Sequence, residues 1–151
     1  MKKYELTSET KIVFGHVLYR IKALSSFGYV SAGDLGGFLE SEKNLSQNGN
    51  AWVSGNARVS GNAWVSGNAE VSKIGSIFWI GAVGSRNDTA TFFRCTDGVI
   101  RVTCGCFFGN LNEFAKKVRK THGDNDHAKV YMLAIDMAKI RISTEKEKTE
   151  E

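Results

Sequence analysis

From Gly49 to Ser72 the chain repeats itself every six residues, as GNAWVS, GNARVS, GNAWVS and GNAEVS. Ala recurs at 51, 57, 63 and 69, Val at 53, 59, 65 and 71, and Gly-Asn at 49–50, 55–56, 61–62 and 67–68. A period of six is neither the period of about 3.6 of a helix nor the unbroken alternation of an ordinary strand. Within each hexad the Ala and the Val lie two apart, so each hexad reads as a short strand with both on its inner face. Ser-Gly-Asn then turns the chain, because Gly and Asn tolerate the left-handed backbone region that a sharp corner needs. Trp52, Arg58, Trp64 and Glu70, between the inner pairs, are expected to point outward.

Three such strands would close one triangular coil. The pattern resembles the left-handed parallel β-helix of hexapeptide-repeat proteins, in which an aliphatic residue is followed four later by a small one. Val53 and Ala57, Val59 and Ala63, and Val65 and Ala69 fit it. Leu39 and Leu45 lead in at six-residue steps, and Gly75 with Ile77 and Gly81 with Val83 continue the two tracks, so the β-helix is expected over 39–83. The resemblance implies a homo-oligomer, a trimer by analogy. A short stack buries little and needs caps. Residues 1–38 read as the N-terminal cap: Val17, Tyr19 and Ile21 alternate as in a strand, and Gly36-Gly37 is expected to take unusual backbone angles. Trp52 and Trp64 are expected to pack on another subunit or on the flanking segments. The words LYRIKAL, GDLGGFLESEKNLS and GNAxV also look like those of small phage- or prophage-encoded accessory proteins. That resemblance implies an accessory protein in the host cytoplasm.

Past the hexads, IFWIGAV, TATFFR and VIRVTCGCF read as three strands separated by turns at 84–88 and 96–98. Asn110 and Glu113 form a capping-box pattern ahead of a helix with Leu111, Phe114, Ala115 and Val118 on one face, and Gly123 is placed to stop it. Asn125 would cap a second helix carrying Ala128, Tyr131, Met132, Ile135 and Ala138. The fold expected is therefore mainly β with α: a short left-handed parallel β-helix followed by a β-β-β-α-α module. The domains would be a cap at 1–38, the β-helix at 39–83, the module at 84–142 and a disordered tail at 143–151.

Charge is uneven. Residues 1–72 carry a net +1, residues 73–142 a net +5 and residues 143–151 a net −2. A basic second half attracts anions. No apolar run approaches the ~20 residues of a membrane span, and no apolar stretch follows the basic start as in a signal peptide. Three cysteines, Cys95, Cys104 and Cys106, argue against a disulfide framework and for a cytoplasmic protein with reduced thiols.

The candidate ligand-binding residues follow from that charge. Arg86 and Asn87 sit on a turn, Arg94 and Arg101 on the strands that follow, and His122, Asp124 and Asn125 at the junction of the helices. Arginine forks beside a helix start suit a phosphate group, and Trp79 could stack on a base. The plainer reading is helix caps and solvated arginines. The function expected is a non-catalytic binding protein taking a phosphate-bearing small molecule, such as a host defence nucleotide, or a host protein. One alternative is DNA binding through Arg86, Arg94 and Arg101. Another is an acyltransferase of the hexapeptide-repeat kind, but His16, His122 and His127 all fall outside the hexads. Cys104-Gly105-Cys106 with His122 and His127 lacks the paired spacing of a zinc site, and in a strand the two sulfurs would share one face. No catalytic residue, metal, cofactor or membrane partner is expected.

Overall fold

The computed structural model describes residues 2–142, and the chain divides into two compact units at Ile74 and Gly75. The segment 143–151, expected as a disordered tail, lies outside the described residues.

The first unit is framed by a long hairpin. Strands β1 (Tyr4–Val13) and β2 (His16–Ala23) are antiparallel and joined by Phe14-Gly15. Both turn residues have positive φ, 49° and 83°, the backbone of a tight primed turn that matches strand twist. Strand β3 (Leu35–Leu39) pairs antiparallel with β2. The hexads then supply only β4 (Trp52–Val53), β5 (Arg58–Val59) and β6 (Glu70–Val71). Strand β5 joins β3 in parallel, giving a mixed sheet in the order β1-β2-β3-β5, and β4 pairs in parallel with β6 alone.

The expected left-handed parallel β-helix over 39–83 does not form. Among the described residues, parallel pairing is confined to those two-residue ladders and one bridge between Leu45 and Val65. The remaining pairing is antiparallel, and residues 77–83 belong to another sheet altogether. The physical reason is the length of each piece. A strand of two residues makes too few ladder bonds to propagate a stack, so the hairpin, with its ten-residue β1, dictates the sheet instead.

What the hexads do supply is a buried row. Every Ala and Val of the four repeats is at most 1% exposed. Gly49, Gly55, Gly61 and Gly67 all turn with φ between 61° and 72°. The flanking segment satisfies the backbone left over. Lys3 Nζ donates to the carbonyls of Ala51 (2.7 Å) and Gly49 (3.3 Å), and Asn44 Nδ2 to those of Ala63 (2.8 Å) and Gly61 (3.2 Å). Trp52, expected to point outward, is buried edge-on against Tyr4 and Phe27, while Trp64 is 40% exposed. Gly36 and Gly37 have ordinary rather than positive φ. Their value is the missing side chain, since a Cβ on either would press into the Val53 or Ala57 carbonyl.

The second unit is a meander of β7 (Ile77–Val83), β8 (Asp88–Arg94), β9 (Ile100–Cys104) and β10 (Phe107–Asn110), all antiparallel. Helices α1 (Leu111–His122) and α2 (Asp126–Arg141) follow. The module is thus β-β-β-β-α-α, not β-β-β-α-α. VIRVTCGCFF is split by a two-residue turn, Gly105-Cys106, with Gly105 at φ 58°. Both helices pack on one sheet face. Val83, Ala90, Phe92 and Val102 meet Phe114, Val118, Tyr131, Ala134, Ile135 and Ala138 in a single core. The opposite face carries the row Trp79, Thr91, Thr103 and Phe108. Among the described residues no helix is long and apolar enough to cross a membrane.

Candidate ligand-binding site

In an up-and-down sheet the first and third turns emerge at the same end. Residues 84–87 link β7 to β8, and residues 105–106 link β9 to β10. Strand β10 carries the chain to the far end, so α1 must run back and deliver its last turns over both hairpin tips. A concavity of about 290 Å³ opens there. The first hairpin contributes Ser85, Arg86 and Asp88, and the second contributes Cys104, Gly105, Cys106 and Phe107. Helix α1 adds Lys117, Thr121 and His122, and α2 adds Tyr131.

Ring contacts fix the floor. The His122 imidazole lies nearly parallel to the Tyr131 ring, with centroids 5.9 Å apart and planes at 23°. Tyr131 meets Phe114 edge-on at 5.4 Å, and Phe107 meets Phe114 at 5.2 Å. Gly84 makes room for this arrangement, because a Cβ there would run into the Tyr131 hydroxyl. On the rim, Arg86 and Lys117 are exposed cations on separate elements. Arg119, Lys120 and His122 complement the negative end of α1, and Gly123 closes it by donating its N–H to the Arg119 carbonyl at 2.8 Å.

The chemistry of the floor is that of neutral groups. Burial pushes the Cys104 thiol up, a hydrogen bond with the Tyr131 hydroxyl (3.8 Å) opposing it and the Asp88 carboxylate adding to it. Burial also raises the Tyr131 phenol, with Cys104 and Asp88 adding to the effect. Neither group is a thiolate or phenolate near neutral pH, so the site offers donors, acceptors and a ring rather than a poised nucleophile.

Of the residues singled out in the sequence, Arg86 and His122 meet at this site, with Asn87 exposed on the same turn and in the left-handed region at φ 54°. The others do not line it. Asp124 is exposed in the helix junction, and Asn125 caps α2 by accepting from the Ala128 N–H at 3.1 Å. Arg94 lies at the other end of β8, about 20 Å along the strand from Asp88, and is buried. Arg101 is held by Asp97 through two bonds of 2.9 and 3.0 Å, and this pairing draws the Asp97 carboxyl below its usual range. Trp79 sits on the sheet face away from the helices.

Sequence reasoning placed Asp88 on the same turn as Arg86 and Asn87, but missed Lys117, Thr121, Phe107 and Tyr131 as site residues. Reading VIRVTCGCF as one strand hid the turn that carries Cys106 to the concavity. The two cysteines are not on one strand face: Cys104 ends β9 and Cys106 is in the turn. The His122 and His127 rings lie 5.2 Å apart. Among the described residues, no group of three or more His, Cys, Asp or Glu side chains is placed to hold a metal ion.

Comparison with known protein families finds no family model that matches the chain, and comparison with curated proteins finds no match.

Proposed function

We propose that this chain is a binding protein whose second unit takes a small anionic molecule with a flat ring, a phosphate-bearing nucleotide being the leading class. The observation that carries the reading is the meeting of Arg86, Lys117 and His122 around the Tyr131 ring in one concavity. The two cations come from different elements, so they can bracket a phosphate, while the His122–Tyr131 stack offers a flat surface to a base. Asp88 supplies an acceptor for an exocyclic amine or a sugar hydroxyl. A volume near 290 Å³ suits a mononucleotide-sized ligand. In the phage-type reading the protein would act in the host cytoplasm by sequestering such a molecule.

DNA binding through the sheet has less to stand on. Its three arginines are separated: Arg94 is buried and Arg101 is held by Asp97. The acyltransferase reading loses its premise with the parallel β-helix.

Isothermal titration calorimetry against mononucleotides, cyclic nucleotides, ADP-ribose and inorganic phosphate tests the proposal. Heat is expected with at least one ring-bearing phosphate, and weaker heat with phosphate alone. Arg86→Ala and Lys117→Ala should each lower the affinity about 10- to 100-fold, the worth of a charge-assisted hydrogen bond. Silence across the panel would end the reading.

A further inference from the structure

Helix α2 is apolar on two faces. One face, with Ala128, Tyr131, Ala134, Ile135 and Ala138, is buried in the core of the second unit. The other holds Val130, Leu133, Met137 and Ile140, which are all exposed, Leu133 by 62% and Ile140 by 85%. Their spacings are three, four and three residues, which puts all four on one face of the helix rather than scattering them around it. Together they leave on the order of 400 Å² of apolar side chain on one helix, as large as the largest patch on a typical monomer. The segment after Ile142, STEKEKTEE, holds no apolar side chain that could cover it.

We infer that this stripe is the docking surface for α2 of a second copy of the chain, with the two helices parallel. Charge distinguishes the two orientations. With Val130 and Met137 at the first core position of the heptad and Leu133 and Ile140 at the second, Asp136 and Arg141 flank the seam on opposite sides. In a parallel pair, a residue at the position of Asp136 faces the residue five further on in the other helix. That residue is Arg141 of the second copy, and the twofold axis makes the pair twice. An antiparallel pairing over the same stripe would instead bring Asp136 near Lys129 of the second copy, which holds the same heptad position, and would leave Arg141 without an acidic partner. The surface is distinct from the concavity, so each assembly presents two binding sites.

Burying the stripe from both copies removes on the order of 800 Å², below the span of a permanent interface, so a dissociation constant on the order of 100 μM is expected. Sedimentation velocity of the full chain from tens of micromolar to about 1 mM should show its mass rising from one chain to two. Leu133→Glu and Ile140→Glu should each hold the chain monomeric with an unchanged circular dichroism spectrum, because both positions are exposed. Asp136→Arg should weaken association about fivefold, and adding Arg141→Asp should restore it. The two positions are five apart on one helix and do not face each other within it, so the rescue reports only the pair between copies. A chain that stays monomeric throughout, a dimer that survives Leu133→Glu, or a charge swap that fails to rescue would each overturn the inference.

Discussion

At Gly37 a Cβ would stand 2.5 Å from the Ala57 carbonyl oxygen and 2.8 Å from a Val53 methyl. Neither neighbour can retreat, since one is backbone and the other is fully buried. Gly37→Ala should therefore cost about 2–4 kcal/mol, read as a lower urea midpoint. Gly61 gives the contrast: nothing lies within 4 Å of a Cβ there, and its φ is 61°. Gly61→Ala should cost only about 1 kcal/mol, from backbone strain alone. The two glycines look alike in the sequence. The turn role of Gly61 was legible because it depends on its own backbone and a repeated Gly-Asn pair. The role of Gly37 was not, because a shortage of space is a property of the strand lying across it. Trp79 failed to be placed for a related reason. Phe78, Trp79 and Ile80 are all apolar, so alternation gives no sign of which sheet face each takes.

At the scale of elements, what depends on neighbours in sequence was readable, and what depends on partners was not. The capping box of α1 is local: Asn110 Oδ1 accepts from the Glu113 N–H and Glu113 Oε1 from the Asn110 N–H, both at 2.8 Å. Asn110→Ala removes half of it and should cost about 1 kcal/mol in chemical denaturation. The hexads likewise announced which side chains turn inward. They could not announce pairing, since β5 takes its place beside β3 only because the β1–β2 hairpin holds β3 there. Val59 shows the consequence, as it pairs in parallel with Leu39 and is fully buried. Val59→Ala should cost about 2 kcal/mol, from two lost methyl groups and the small cavity they leave. The concavity lies between these extremes. Arg86 and His122 were findable as charged residues at a turn and a helix end. Tyr131 was read as an ordinary core residue, and only the up-and-down strand order shows that its ring lies beneath two hairpin tips.

For the molecule as a whole, the shifted groups set how stability depends on pH. Lys3 is buried with its ammonium over the Phe27 ring, and desolvation lowers its pKa to about 8. The unfolded chain keeps that proton up to about 10.4. Between about pH 8 and 10 the unfolded state therefore binds more protons than the folded state, and stability rises with pH, by on the order of 2 kcal/mol. Tyr4 and Tyr131 act the other way. Burial raises both phenols, so their contribution is intact below about pH 10 and is lost above it, where the unfolded chain ionises first. At the acid end, Glu40 is lowered by the Gly61 N–H and then by His16, and Asp97 by Arg101. Both support the fold above about pH 4 and cease to do so as they are protonated. Urea midpoints measured from pH 3 to 11 should accordingly climb out of the acid region, rise again above pH 8, peak near pH 9–10 and then fall. Lys3→Met keeps the apolar stem and removes the titration, so its profile should lack the rise above pH 8 while keeping both outer slopes. A variant that follows the parent through that window would locate the alkaline gain in some other group.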